Sequence, residues 1–315
     1  MKNKIILTGK HGRPSTLEVY ASMSSGTLVQ RRQVFSKIGR KLLKQYYRVF
    51  TNNTRTLIKE KTMSFLNSIV VRWGTREEID TDKTTIVYNQ SKAIAIATDK
   101  RLSRETFIAN NVNTPALVTP DTFREEYLPI IARPFTHSKG KNFVVLNTRE
   151  EFVNHYVRNN SSWYYSQFIN KEREFRIHCA HSKVLAVMEK SNPNNGNIAW
   201  NRAQNDTEPF TYISWNQVDD QNLKCVLEEA LKATAAIGLD MSGVDVMLCG
   251  GTAYVLEVNT APTLNTSPYV ASRWGMYFDW LFRVETRREH WDFTQFKKGS
   301  SMIWKNFQLT ETKDK

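Results

Sequence analysis

The run Gly243-Val-Asp-Val-Met-Leu-Cys-Gly-Gly-Thr-Ala-Tyr-Val-Leu-Glu-Val-Asn259 constrains this chain more than any other stretch. Val244, Val246 and Leu248 alternate with Asp245 and Met247, which predicts a half-buried strand. Gly250-Gly251 supplies a hairpin turn, and Tyr254 to Asn259 leads the chain back. Period two puts Glu257 and Asn259 on one face of the return strand, where Asp245 can join them from the partner strand. Two carboxylates and an amide are hard oxygen donors. They suit Mg²⁺ held jointly with nucleotide phosphates, because Mg²⁺ takes few protein ligands and completes its octahedron with phosphate oxygens and water. A hairpin with an ordinary wet polar face fits the same pattern, so the decision falls to other segments.

Those segments follow one another in a definite order: Asp99-Lys100, Asn113-Thr-Pro115, Pro129-Ile-Ile-Ala-Arg-Pro134 with Thr136-His-Ser-Lys-Gly-Lys141, Gln167-Phe-Ile169, Glu174-Phe-Arg-Ile177, Lys183-Val-Leu-Ala-Val187, Lys190, and finally Leu256-Glu-Val-Asn-Thr-Ala-Pro262. In order and spacing, residues 68 to 268 resemble the ATP-grasp superfamily of carboxylate–amine ligases, and within it the RimK-like, ribosomal-protein glutamate ligase branch. The resemblance implies an α/β (α+β) protein with the ATP-grasp fold: two α+β subdomains clasping ATP, preceded by a small α/β pre-grasp domain. Its boundaries are expected at 1–98 for the basic pre-grasp domain, 99–166 for the first grasp subdomain, 167–285 for the second, and 286–315 for an aromatic tail.

Each segment has a physical reason to sit where the resemblance puts it. Residues 129–134 are an apolar run closed by proline, and 136–141 form a polar, glycine-containing loop ahead of the strand at 142–146. Such a loop can fold over a triphosphate with its backbone N–H groups, the hydroxyls of Thr136 and Ser138 and the charges of Lys139 and Lys141. A basic hairpin tip reads the same way in isolation. Where the family's strand usually ends in a phosphate-binding lysine, this chain has Arg133, a planar fork in place of a point charge. Lys100 matches the family's other phosphate-side lysine. The resemblance further implies that Gln167, Phe168 and Ile169 hold adenine, that Glu174 holds ribose, and that Arg176 and Lys190 are the catalytic cations for the γ-phosphate and the acyl-phosphate. Cross-strand ion pairing is the competing role for these charged residues, above all for Glu189. The polar segment 191–207, with Asn201 and Arg202, falls where relatives receive substrate.

Other chemistries are disfavoured. His178 and His181 are three apart on a predicted strand and point to opposite faces, so they do not chelate one ion. Cys179, Cys225 and Cys249 have no paired spacing, which argues against a zinc ribbon and for a reducing, cytoplasmic compartment. No signal peptide, membrane span or nucleophile–base motif is apparent. The remaining elements are strands near 68–73 and 84–88, an Ala/Ile-rich helical stretch over 91–111 carrying Lys100, and a helix over 217–238 that starts near Asp219-Asp220 and stops at Gly238.

Charge is unevenly spread. Residues 1–72 hold 15 Lys/Arg against Glu18 and Glu60, a net of +13, while residues 73–315 hold 29 charges of each sign. Arg31, Arg32, Lys37, Arg40, Lys41, Lys44 and Arg48 share a helix-compatible stretch with Val34, Phe35, Ile38, Leu42, Leu43 and Tyr46. A basic face of this kind serves nucleic acid or an acidic partner equally well. The expected function is an ATP- and Mg²⁺-dependent ligase, with Mn²⁺ an alternative metal on Asp245, Glu257 and Asn259. It joins a carboxylate to the amine of an amino acid, peptide, protein or nucleic-acid acceptor. The rival is a non-catalytic ATP-binding module with a basic nucleic-acid-binding region.

Overall fold

The computed structural model describes residues 5–8, 47–49, 69–74, 83, 86–135, 143–190, 210–212, 221–262, 270, 273, 274 and 277. Three sheets order these residues. The first is parallel, with β1 (Ile5–Thr8), β2 (Tyr47–Val49), β3 (Ile69–Arg72) and β4 (Ile86–Tyr88) in the order β2-β1-β3-β4. Two short helices follow, α1 (Ser91–Thr98) and α2 (Lys100–Ala109). The second sheet is antiparallel, with β5 (Ile130–Pro134) between β6 (Val144–Leu146) and β7 (Trp163–Gln167). Helix α3 (Arg149–Asn159) contributes Phe152 to its core. The third sheet, also antiparallel, runs β10-β9-β8-β11-β12 and joins β8 (Arg173–Ala180), β9 (Lys183–Lys190), β10 (Phe210–Tyr212), β11 (Met241–Cys249) and β12 (Thr252–Asn259). Helix α4 (Gln221–Ile237) packs on β11 and β12, as the hairpin reading requires.

The predicted continuous helix over 91–111 is in fact two. Asp99 adopts extended backbone, with φ −90° and ψ 110°, and its carboxylate accepts the N–H groups of Arg101 at 3.0 Å and Leu102 at 2.9 Å. One aspartate therefore ends α1 and caps α2. As a result Lys100 is the first residue of a new helix, aimed independently of α1. The long helix is described over Gln221–Ile237 and stops before Gly238 as expected, while its expected start near Asp219-Asp220 lies outside the described residues.

The first sheet is tied to the third sheet through Asn89. This residue is fully buried and left-handed, with φ 58°. Its amide oxygen accepts from the N–H groups of Asp240 and Met241, both at 2.9 Å, and its amide nitrogen donates to Met241 O at 2.9 Å and Arg72 O at 3.4 Å. Asn89→Ala leaves these buried backbone groups without partners, so a loss on the order of 3 kcal/mol is expected in urea unfolding. A midpoint equal to wild type would mean that the joint carries no stability.

Candidate active site

Glycine makes the hairpin. Gly250 and Gly251 both have positive φ, 56° and 72°, the requirement for both central residues of a type I′ turn. Along β11, Val244, Val246 and Leu248 enter the core under α4, and Asp245 and Met247 take the other face. On β12, Ala253, Val255 and Val258 are buried in that same core. Strict alternation is incompatible with this pattern, because it would place Glu257 beside Val255, inside the core. A β-bulge resolves the conflict. Asp245 pairs with Glu257 but Val246 pairs with Val255, so Leu256 is the extra residue. The parity shift turns Glu257 and Asn259 to the face that carries Asp245.

That face also carries Glu174 and Arg176 of β8 and Lys190 of β9, because Phe175, Ile177, Val184 and Val187 take the core side and Arg176 lies beside both Asp245 and Met188. Six of the predicted residues are thus gathered on one side of one sheet: Glu174, Arg176, Lys190, Asp245, Glu257 and Asn259.

They are internally neutralised. The Arg176 guanidinium donates from Nε and Nη2 to the two oxygens of Asp245, each at 2.7 Å. Burial pushes the Asp245 carboxyl above its ordinary range while Arg176 pulls it back; for Arg176, burial is outweighed by Asp245 and the guanidinium is held more firmly charged. The forked geometry favours the ionised pair, since arginine does not give up its proton and both bonds are charge-assisted. Lys100 Nζ lies 2.5 Å from Glu257 Oε2, and Asn259 Nδ2 donates to Glu257 Oε1 at 3.1 Å. Lys100, more than burial can offset, drives the Glu257 carboxyl far below the usual carboxylate range. Glu174 accepts from Lys171 and lies 3.7 Å from Lys190 Nζ. Glu189 forms a two-pronged pair with Arg173, at 2.6 and 3.0 Å, as its expected ion-pairing role requires.

The other predicted residues lie on other elements or outside the described residues. Arg133 lies on β5 opposite Tyr164. Gln167 ends β7, Phe168 N–H donates to Pro129 O at 3.2 Å, and the Ile169 side chain is buried, so this segment offers mainly backbone. Thr136, Ser138, Lys139, Lys141, Asn201 and Arg202 lie outside the described residues, as do the basic stretch at 31–46 and the tail at 286–315. His178 is fully buried, its Nδ1 accepts the Trp274 indole N–H at 3.1 Å, and burial followed by Arg176 pushes its pKa down to about 3. His181 occupies the β8–β9 turn with φ 45° and meets Tyr277. Burial pushes the Cys179 thiol up to about 12, which removes it as a nucleophile.

Asp245 does not stand in an open cleft, since it is only 7% exposed beneath Arg176. Two basic residues were also missed. Lys171 joins Glu174, and Arg104 reaches the backbone of the bulge. The only available signal for Arg104 was its spacing, one helical turn after Lys100.

Among the described residues no three His, Cys, Asp or Glu side chains converge. The oxygen donors on this face that could hold a metal are Asp245, Glu257 and the Asn259 amide. That composition fits Mg²⁺ shared with phosphate oxygens better than a zinc site.

Comparison with known proteins agrees with the architecture. Residues 121–271 match the family model of the RimK-like ATP-grasp domain. No curated protein sequence matches the chain. Among solved structures it is similar to D-alanine–D-alanine ligase from Bacillus anthracis complexed with ATP, at 14% identity and a TM-score of 0.55, covering 91% of this chain and 99% of that one. It is also similar to the ATP-grasp ligase PsnB complexed with minimal precursor, Mg and ADP, at 11% identity, a TM-score of 0.58, and 90% and 97% coverage. A third is N5-carboxyaminoimidazole synthase from Aspergillus clavatus in complex with ADP and 5-aminoimidazole ribonucleotide, at 13% identity, a TM-score of 0.54, and 86% and 75% coverage. Together with the Gly-Gly hairpin, its bulge and the polar face of the third sheet, these likenesses establish the ATP-grasp fold, with residues 121–271 similar to the RimK-like ATP-grasp domain.

Proposed function

We propose that this protein is an ATP- and Mg²⁺-dependent, ADP-forming ligase that joins a carboxylate to an amine. The observation that carries the reading is the pairing of Lys100 with Glu257 and of Arg176 with Asp245, which holds two carboxylates and two cations together on one sheet face. A protein with no use for phosphate and metal gains little by gathering four charges there, because desolvating such pairs offsets much of their attraction. A Mg-nucleotide offers both signs at once. Its phosphates are partners for Lys100 and Arg176, and its metal is a partner for Asp245, Glu257 and Asn259.

When bound there, Mg²⁺ supplies charge neutralisation between the phosphates. The chain's own work is electrostatic. A substrate carboxylate oxygen attacks the γ-phosphorus, the bond to the ADP oxygen breaks, and an acyl-phosphate forms. A neutral amine nitrogen then attacks the acyl carbon, phosphate leaves with the bonding electrons, and the amine gives up a proton. Arg176 and Lys190 are placed to neutralise charge on the transferring and acyl oxygens, while Arg133, Gln167 to Ile169 and Glu174 hold the nucleotide. Loop residues Thr136, Ser138, Lys139 and Lys141 cover the phosphates in this reading, and Asn201 and Arg202 contact substrate. The domain limits 1–98, 99–166, 167–285 and 286–315 belong to the same proposal.

The acceptor class favoured is an amino-acid or peptide amine. The net +13 of residues 1–72 supports an acidic peptide, protein or nucleic acid as the carrier of that amine. ADP release on mixing the protein with ATP, Mg²⁺ and pools of amino acids, acidic peptides or oligonucleotides tests the reading, and mass spectrometry of the pool identifies the acceptor. ADP release that depends on one pool is the expected result. ATP binding with no pool raising ADP release would favour the non-catalytic module.

The described residues contain no helix long and apolar enough to cross a membrane.

A further inference from the structure

We infer that Arg104 is a positioning residue that holds the β12 bulge and thereby aims Glu257 and Asn259 at the metal. The inference rests on the reading of those two residues as metal ligands, and it concerns how the chain keeps them in place.

Arg104 is 4% exposed, so it is sealed from any ligand on the sheet face. Its guanidinium spends its donors on main-chain and hydroxyl oxygens at one spot. Nη1 donates to Thr114 Oγ1, to Pro115 O at 3.4 Å and to Val255 O at 3.5 Å, and Nη2 donates to Leu256 O at 3.3 Å. Thr114 Oγ1 donates in turn to Val255 O at 2.8 Å, and Val255 N–H donates to Asn113 O at 2.8 Å. Two of the three carbonyls reached by Arg104 are those of the last residue before the extra one and of the extra residue itself. Leu256 is unpaired in the ladder with β11, so its backbone polar groups need partners from outside the sheet.

Spacing explains why one helix does both jobs. Lys100 and Arg104 are four residues apart on α2 and share a face. The first contacts the Glu257 side chain, and the second contacts the backbone just before it. Burial weakens the Arg104 guanidinium's hold on its proton, to a pKa of about 10, which still leaves it charged near neutral pH. A buried cation with no carboxylate at hydrogen-bond distance among the described residues is costly unless carbonyl dipoles hold it. Here two of the three carbonyls belong to the bulge. Without this clamp Leu256 is free to slip back into the ladder, and a one-residue slip turns Glu257 toward the core.

The test separates aiming the metal ligands from general folding. ADP affinity is measured by calorimetry with Mg²⁺ and with EDTA, for wild type, Arg104→Lys, Arg104→Met and Thr114→Val, with circular dichroism as the check on folding. For Arg104→Met the expected result is an affinity in EDTA within about twofold of wild type and a loss of roughly tenfold in the enhancement given by Mg²⁺. Arg104→Lys keeps the charge but cannot span both carbonyls, so it recovers part of that enhancement. If Arg104→Met does not fold, Thr114→Val, which removes one of the bonds to Val255 O, is read by the same ratio, with a smaller loss expected. Full Mg²⁺ enhancement in a folded variant overturns the inference, as does an equal fall in both conditions. Absence of any enhancement in wild type overturns the metal reading itself, and is seen without any variant.

Discussion

Asp245→Asn is expected to lower the stability of the protein by on the order of 3–5 kcal/mol, in addition to removing a proposed metal ligand, because it strands a buried arginine. Asp245 and Arg176 are each about nine-tenths buried or more and exchange two bonds of 2.7 Å. Asparagine accepts from one prong only and brings no charge, so the Arg176 guanidinium remains desolvated without compensation. Urea unfolding of the single variant measures the loss. The double variant Asp245→Leu with Arg176→Met is the decisive comparison, since it removes both charges and fills their volume. Stability should then return to within about 1–2 kcal/mol of wild type while Mg²⁺-dependent nucleotide binding stays lost. A double variant no more stable than Asp245→Asn would show that the site tolerates no apolar filling, and that the ion pair is not what the single substitution disturbs.

How much of this was legible in the sequence depends on which interactions are local. The β11–β12 hairpin was readable because Gly250-Gly251 announces a turn and Val244, Val246 and Leu248 announce a buried face. Helix α4 ends where Gly238 says it must. The break at Asp99 was hidden because apolar residues continue at helical spacing on both sides of it, and only the cap geometry shows that Asp99 serves two helices. The bulge was hidden for a different reason. Period two places Glu257 and Asn259 on one face with or without it, so the sequence puts these two side chains together although strict alternation would have buried them next to Val255.

The site was legible as a set of residue types and illegible as a set of partners. Which cation faces which carboxylate depends on the register of strands far apart in sequence: Arg176 meets Asp245 across β8 and β11, 69 residues apart, and Lys100 meets Glu257 across 157. No periodicity encodes such pairs. Lys171 and Arg104 were missed on the same ground, since one sits in a charged turn and the other on a helix whose neighbours appear only once β12 is placed.

Glu257→Gln isolates the metal from the fold and carries the largest expected effect on function. The Glu257 side chain is 30% exposed and that of Lys100 18%, so their pair is more screened than the buried Asp245–Arg176 pair and contributes less to folding. Glutamine has the same volume, and its amide oxygen can still accept from Lys100. Unfolding midpoints should therefore fall by less than with Asp245→Asn. What glutamine lacks is the anionic oxygen that Mg²⁺ prefers. Nucleotide binding in EDTA should be nearly unchanged, the Mg²⁺-dependent gain should disappear, and ADP release with the active acceptor pool should fall at least about 100-fold. Glu257→Asp keeps the charge on a shorter arm and should retain a measurable part of the gain. If Glu257→Gln binds Mg-nucleotide as wild type does, Glu257 is a partner for Lys100 alone, and the metal must be sought elsewhere than on the face that the Leu256 bulge creates.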